Sequence, residues 1–68
     1  MATDLQFTKE RIRAIREKLG LTQVQFAKRF GFSQPSVSLW ESGTVMPMSY
    51  PALKGLLEAE RQAEEEQG

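Results

Sequence analysis

The chain of 68 residues contains no cysteine and no histidine, which excludes the common Cys/His zinc sites and any Ser-His or Cys-His nucleophile. The chain is short enough for one domain only. No apolar run approaches the roughly 18 residues of a membrane span, and the first residues lack the apolar core of a signal peptide. We therefore expect a cytoplasmic protein with no membrane contact, metal, cofactor or small-molecule substrate. The net charge is zero, but residues 1–57 carry +4 and residues 58–68 carry −4; a basic body suits a polyanionic partner and an acidic tail does not, although ordinary solvated surface would explain both.

The first predicted element is a helix from about Thr8 to Leu19, which follows a flexible lead-in over residues 1–7. Its apolar residues recur at helical spacing; they are Ile12, Ile15 and Leu19. Glycine is the residue most often found at C′, the position just after a helix end, and Gly20 suits that position. The pattern therefore predicts one short amphipathic helix that ends at a glycine.

Two further short helices are predicted on either side of a tight turn. Thr22 and Gln25 have the spacing of a capping box, which starts a helix over about 23–30. Residues 30–32, Phe-Gly-Phe, interrupt the helical pattern, and a third helix resumes over about 34–42. Two short helices joined in this way form the helix-turn-helix unit, whose second helix can lie in the major groove of DNA.

A fourth helix is predicted to begin near Tyr50, with Ser49 as its N-cap, and residues 58–68 are expected to form an acidic tail or to extend this helix by a turn or two before fraying. At all four helix starts, apolar residues flank the cap at the spacing of a hydrophobic staple; the pairs are Phe7–Ile12, Leu21–Phe26, Phe32–Val37 and Met48–Leu53. No strand pattern competes. We therefore predict an all-α, compact bundle of four to five short helices over residues 8–57.

The third helix has two distinct faces, because successive residues turn by about 100°. Val37 and Trp40 point in one direction, towards the core. The opposite face comprises Pro35, Ser38 and Leu39, and Gln34 projects from the N-terminal end of the helix. This outward set is mostly small and uncharged, as a helix lying against base edges needs.

These outward residues are candidates for DNA base contacts. The Gln34 amide can donate to N7 and accept from the N6 amine of adenine, and Pro35 and Leu39 can contact a thymine methyl group. The alternatives are a solvated polar residue at position 34, and at Leu39 an exposed apolar residue or a contact with a protein partner.

The stretch from Arg11 to Leu57 resembles the phage repressor and Cro-like (XRE-type) helix-turn-helix family. The residues that carry this resemblance are Leu21-Thr22-Gln23, Phe26-Ala27, Gly31-Phe32-Ser33, Val37-Ser38-Leu39-Trp40-Glu41, Gly43 and Pro47. The resemblance implies a lambda-repressor-like fold and sequence-specific binding to a double-stranded DNA operator as a homodimer. It further implies a transcriptional regulator, most simply a repressor, that is not an enzyme.

The resemblance also implies roles for individual side chains. Gln23 would contact a DNA phosphate and hydrogen-bond to Gln34, so that the two amides support each other. Arg16 would form a structural ion pair with Glu41 and tie the first helix to the recognition unit.

The loop after the third helix would contact phosphates through Ser42 and Thr44. Val45 and Met46 depart from the basic residues that the family usually carries there, which weakens the expected phosphate contacts. Lys28 and Arg29 are further phosphate candidates, or simply solvated charges.

Several alternatives for the partner stay open. The dimer could form through the fourth helix and tail, or through Val45, Met46 and Met48, whose flexible Met side chains suit adaptable interfaces. Residues 49–57, SYPALKGLL, also resemble antitoxin members of the family, which repress their own operon and bind a toxin. A protein-interaction module with this fold and no DNA target is the remaining alternative.

Overall fold

The structure, a computed structural model, describes the backbone of residues 6–67 and the side chains of residues 6–65. It contains four α-helices: α1 (Lys9–Lys18), α2 (Gln23–Phe30), α3 (Gln34–Ser42) and α4 (Tyr50–Gln67). No strand occurs among the described residues, so the predicted all-α bundle is confirmed. The predicted starts and ends of the first three helices agree with the structure to within one residue.

Side-chain N-caps explain where the first three helices begin. Thr8 Oγ1 accepts a hydrogen bond from the Arg11 backbone N–H at the start of α1. At the start of α2, Thr22 Oγ1 accepts from the Gln25 N–H while Gln25 Oε1 accepts from the Thr22 N–H, which is the predicted capping box. Each bond satisfies a helix-terminal N–H group that has no partner within the helix.

The turn between α2 and α3 depends on Gly31, whose φ is +78°. Glycine adopts this left-handed conformation without the steric cost that a Cβ brings. The turn lets the Phe32 N–H donate to the Ala27 carbonyl at 2.8 Å, which closes α2. The chain can therefore reverse within three residues and place α3 across α2.

An aromatic cluster joins α2, the turn and α3. Phe32 meets the indole of Trp40 edge-on, with the ring centroids 5.0 Å apart, and also lies against Phe26 at 5.7 Å. Trp40 is 7% exposed, and Phe26 and Val37 are fully buried. These contacts fix the angle between the two helices, because aromatic rings pack best in such tilted arrangements.

The fourth helix is longer than expected. The sequence predicted fraying a turn or two beyond Leu57, but α4 continues to Gln67. Ala59 and Ala63 are buried in the core, and Glu60 accepts two hydrogen bonds from the Arg11 guanidinium at 2.8 and 2.9 Å. The extension therefore packs on α1, and these contacts account for its persistence as helix.

Two further expectations need correction. Phe7, assigned by the domain boundaries to a flexible lead-in, is buried in the core beside Ile12; residues 1–5 of that lead-in lie outside the described residues. Met48 is 83% exposed, so it forms no buried staple with Leu53. Ser49 still caps α4, since its Oγ accepts from the Ala52 N–H at 3.3 Å.

Candidate nucleic-acid interface

The two faces of α3 lie as the sequence indicated. Val37 and Trp40 are buried against the rest of the bundle. On the other face Gln34 and Pro35 are exposed, Ser38 is half-buried, and Leu39 is 42% exposed. This outer face carries no charged side chain, so it offers hydrogen-bonding and apolar groups without the hydration cost of an ion.

Two glutamines connect the starts of α2 and α3. Gln34 Nε2 donates to Gln23 Oε1 at 3.3 Å. Gln23 Nε2 in turn donates to Glu41 Oε1, also at 3.3 Å. The amide at the exposed start of α3 is thereby linked, through one intermediate side chain, to a carboxylate in the interior.

That carboxylate forms a two-pronged pair with Arg16. Arg16 Nε donates to Glu41 Oε2 at 2.7 Å and Nη2 donates to Oε1 at 3.0 Å. The third nitrogen, Nη1, donates to the Leu21 carbonyl at 2.9 Å. One guanidinium therefore holds α1, the α1–α2 connection and the end of α3 together.

A second cation lies beside the same carboxylate. Arg13 Nε is 3.5 Å from Glu41 Oε1, and the Arg13 side chain is largely exposed. Arg13 was not among the site residues predicted from the sequence. Its spacing three residues before Arg16, on one side of α1, was the available signal. Glu41 itself is 3% exposed, and within residues 6–65 no buried side-chain polar atom is left without a hydrogen-bond partner.

The charges of the pair stabilise each other. Burial by itself raises the pKa of the Glu41 carboxyl, but hydrogen bonds from Arg16 and Gln23 and the positive charge of Arg16 together hold that pKa below its ordinary value. The hydrogen bond to Glu41 raises the pKa of Arg16 in turn. Both groups are therefore ionised in the folded protein at neutral pH.

The two hydroxyls that follow α3 lie side by side. Ser42 Oγ is 3.0 Å from the Leu39 carbonyl oxygen and 2.8 Å from Thr44 Oγ1. Both residues are exposed. A phosphate that binds here must compete with these internal hydrogen bonds.

A positive charge from α1 lies close to this loop. The side chain of Lys9 extends over Gly43, and a Cβ placed on that glycine would lie 3.1 Å from Lys9 Cδ. No sequence spacing indicated this approach, because the two residues are distant in the chain. Lys9 and Arg13 share a groove of about 250 Å³ with three carboxylates, those of Glu10, Glu17 and Glu41.

The two basic residues near the end of α2 that were predicted to contact phosphate differ in their surroundings. Lys28 is exposed. Arg29 Nη2 donates to Gln62 Oε1 of α4 at 2.8 Å, and its guanidinium lies 5.7 Å from the centre of the Phe30 ring. The structure therefore holds Arg29 against α4 and does not bring it to the Gln23–Gln34 pair.

The α3–α4 loop (residues 43–49) and the first residue of α4 expose four large apolar side chains. Val45, Met46, Met48 and Tyr50 all present large apolar side chains to the surface. Met48 also borders a shallow groove of about 260 Å³, whose other lining residues are Gln6, Met46, Pro47 and Leu53. Such a patch is typical of a surface that another protein covers.

Within the described residues, no group of three or more acidic side chains is arranged to hold a metal ion. None of the described helices has both the length and the hydropathy that a membrane span requires.

A family model described as helix-turn-helix matches residues 12–50, which is more than half of the chain. No curated protein sequence and no solved structure matches the chain.

Proposed function

Because the chain belongs to the XRE-type helix-turn-helix family, a family of DNA-binding regulators, we propose that it is a cytoplasmic, sequence-specific transcriptional regulator, most simply a repressor that occludes a promoter. The observation that carries this proposal is the outer face of α3. It is largely exposed and uncharged, and its first residue is held by a hydrogen bond that it donates to a neighbouring glutamine. A helix with these features can lie in the major groove of DNA and contact base edges.

The base contacts are assigned to four residues of α3. Gln34 pairs with adenine through its amide, and Pro35 and Leu39 contact thymine methyl groups. Ser38, half-buried between them, hydrogen-bonds to a base edge. These contacts give the sequence preference, because phosphate contacts are the same for every sequence.

The phosphate contacts are assigned to polar side chains at the two ends of this face. Gln23 has an amide near the start of α3, and Ser42 and Thr44 have exposed hydroxyls at its end. Lys28 adds a solvated charge, and Arg29 contributes only if it leaves Gln62. With so few cations, the affinity should depend weakly on salt, since each phosphate neutralised adds to the salt dependence.

We propose that the protein binds DNA as a homodimer through the α3–α4 loop. Residues 43–53 contain no charged side chain. A two-fold interface places the same patch of both copies in contact, so an uncharged patch avoids like-charge repulsion. Met48 of one copy can enter the groove lined by Met46 and Leu53 of the other. Two recognition helices then contact half-sites about 34 Å apart.

Selection from a random duplex library at two salt concentrations tests the proposed function. We expect a palindromic site to be enriched, with an affinity that falls with log[salt] at a slope near −0.9 for each phosphate that a cationic side chain neutralises. Failure to bind any duplex at low salt would contradict it and favour a protein-interaction module.

The antitoxin alternative is favoured by residues 49–57, which resemble antitoxin members of the family, and by the exposure of Met48 and Tyr50 beside them. Such a protein would repress its own operon and bind a toxin. Co-purification of a toxin encoded beside its gene is the expected result, and Met48→Ser together with Tyr50→Ser should abolish it. Retention of the toxin by that variant would contradict the assigned surface.

A further inference from the structure

We propose that Lys9 of α1 supplies the positive charge that binds a DNA backbone phosphate at the end of α3, beside Ser42 and Thr44. This contact rests on the proposed function, in which the two hydroxyls touch a phosphate, and it adds a residue from a helix that carries no other assigned DNA contact. Lys9 then contributes affinity for any duplex and no sequence preference, because a phosphate is the same beside every base pair.

The chain at the end of α3 has no positive charge of its own to offer a phosphate. Residues 42–49, which end α3 and form the loop after it, contain no Lys or Arg. The backbone N–H groups of residues 43–45 all donate to the carbonyls of Leu39 and Trp40, so they are not available to an anion. The C-terminal end of a helix also carries partial negative charge, which disfavours a phosphate. A phosphate that binds here therefore requires a cation from another part of the fold.

The two hydroxyls at this end are weak phosphate ligands by themselves. Ser42 Oγ is 3.0 Å from the Leu39 carbonyl oxygen and 2.8 Å from Thr44 Oγ1. Each hydroxyl has a single proton to donate, so it must give up one of these bonds to gain a bond to phosphate. A neutral donor also releases no counterion from the DNA, whereas a cation that neutralises a phosphate does.

Lys9 brings a cation to this place from the start of α1. A Cβ placed on Gly43 would lie 3.1 Å from Lys9 Cδ and 3.8 Å from both Cε and Nζ. The side chain of Lys9 therefore crosses the one residue that separates Ser42 from Thr44, and the missing side chain of Gly43 leaves room for it. The ammonium group is thereby held over the glycine between the two hydroxyl-bearing residues.

The ammonium group of Lys9 is available to a ligand. Lys9 is exposed, and among the side chains of residues 6–65 it takes part in no ion pair. The arginines of the same helix each pair with a carboxylate; they are Arg11, Arg13 and Arg16. An ammonium group on a flexible stem has three donors, so Lys9 can bind a phosphate without breaking an ion pair.

A purely structural role is the alternative that the test must separate from phosphate binding. An ammonium group near the end of α3 also complements the partial negative charge of that helix end. Removal of such an interaction lowers the stability of the protein. It leaves the salt dependence of DNA binding unchanged, because counterions are released only where a positive charge of the protein neutralises a phosphate.

The first measurement compares Lys9→Gln with Lys54→Gln over a series of salt concentrations. Both changes neutralise an exposed lysine, but Lys54 lies on α4, in the groove that Arg29 borders. Lys9→Gln should weaken binding to the selected operator and to its single-base variants by the same factor. The slope of log K against log[salt] should become shallower by about 0.9 for each copy bound.

Lys54→Gln and the charge-conserving Lys9→Arg should both keep the wild-type slope. An unchanged slope for Lys9→Gln overturns the inference, even if the melting temperature of that variant falls, because it shows only a structural role.

The second measurement replaces the operator phosphates one at a time by neutral methylphosphonates. We expect one position in each half-site at which the replacement weakens binding of the wild-type protein but not of Lys9→Gln, because the variant has already lost the charge that this phosphate binds. Equal losses for the two proteins at every position overturn the inference.

Failure of this contact is distinguishable from failure of the proposed function. If the wild-type protein binds its operator with a sequence preference and Lys9→Gln shares its salt slope and its methylphosphonate profile, the inference is wrong and the proposed function stands. A wild-type protein that binds no duplex at low salt overturns both.

Discussion

Phe32, in the turn between α2 and α3, occupies the space that a side chain at position 55 of α4 would need. A Cβ on Gly55 would lie 2.6 Å from Phe32 Cε1, 2.7 Å from Cζ and 3.4 Å from the Phe30 carbonyl oxygen. Glycine in a helix interior costs about 1 kcal/mol relative to alanine. The close approach of Phe32 explains why position 55 of α4 is a glycine. It lets the turn between α2 and α3 pack directly on α4.

We predict that Gly55→Ala destabilises the protein, although alanine favours helices. Overpacking of this kind costs about 1–3 kcal/mol, which equals or exceeds the gain of about 1 kcal/mol in helix propensity. Chemical denaturation measures the difference, with Lys54→Ala, exposed and one residue earlier, as the control. A rise in stability for Gly55→Ala would show that α4 and the turn do not pack as described.

Gln34→Ala should leave folding intact and remove the preference at one base position. The side chain is exposed and its bond to Gln23 joins two surface amides, so the melting temperature should change little. The lost discrimination should be about 1–3 kcal/mol, the usual value of a bidentate base contact. Binding to single-base variants of the operator measures it, and an unchanged preference at every position would refute the assignment of Gln34.

Arg16→Ala should lower the melting temperature markedly. Breaking a buried ion pair by removing one partner costs about 3–5 kcal/mol. Here Glu41 would keep only the bond from Gln23 and the longer contact with the exposed Arg13, and the Leu21 carbonyl would also lose its donor. Arg61→Ala is the matched control, because Arg61 pairs with Glu58 and Glu65 on the exposed side of α4 and such pairs contribute at most about 1 kcal/mol. Equal melting temperatures for the two variants would contradict the proposal that this ion pair holds α1 and α3 together.

The stability of the protein should fall in acid through Glu41. Its pKa is lower in the folded than in the unfolded protein, so the unfolded chain binds the proton more readily. The stabilisation is complete above the ordinary glutamate pKa and is lost as the pH falls through the lower folded value.

The free energy of unfolding as a function of pH measures this effect. Glu41→Gln should flatten the acid limb of that curve, whereas Glu58→Gln, at an exposed pair whose carboxyl pKa is also lowered by Arg61, should change it little. If the Glu41→Gln curve falls in acid as steeply as that of the wild-type protein, the pair is not the source of the acid sensitivity.

Ala63→Glu should destabilise the domain by about 2 kcal/mol or more, because it places both excess volume and an unpaired charge in the core. Ala63 is 1% exposed in the part of α4 that extends beyond Leu57. Glu64→Ala, next to it and exposed, is the control for altered charge and helix propensity. Similar stabilities would indicate that this part of α4 does not pack on α1 in solution.

Local signals in the sequence predicted the helix starts and the two faces of α3. Caps such as Thr22 act on N–H groups two or three residues away, and the inward position of Trp40 follows from helical spacing, so neighbouring residues suffice to locate them. The Arg11–Glu60 bonds and the contact of Phe32 with the backbone of Gly55 join residues far apart in the chain. Their formation depends on how α4 packs, which spacing within one segment does not encode.

Family resemblance predicted the Gln23–Gln34 hydrogen bond and the Arg16–Glu41 ion pair, because neither follows from helical periodicity. Arg13 was missed because the resemblance assigned it no role, and Lys9 because its side chain reaches Gly43 only after α1 and α3 pack. The apolar loop was noticed in the sequence, and the structure adds its exposure and the groove beside it.

The separation of α3 into a buried side and an exposed side has an evolutionary consequence under the proposed function. Pro35, Ser38 and Leu39 can be exchanged with little loss of stability, because Val37 and Trp40 supply the packing of this helix. A duplicated copy of the gene can therefore acquire mutations in these three codons that change the operator it binds, while the protein keeps its fold.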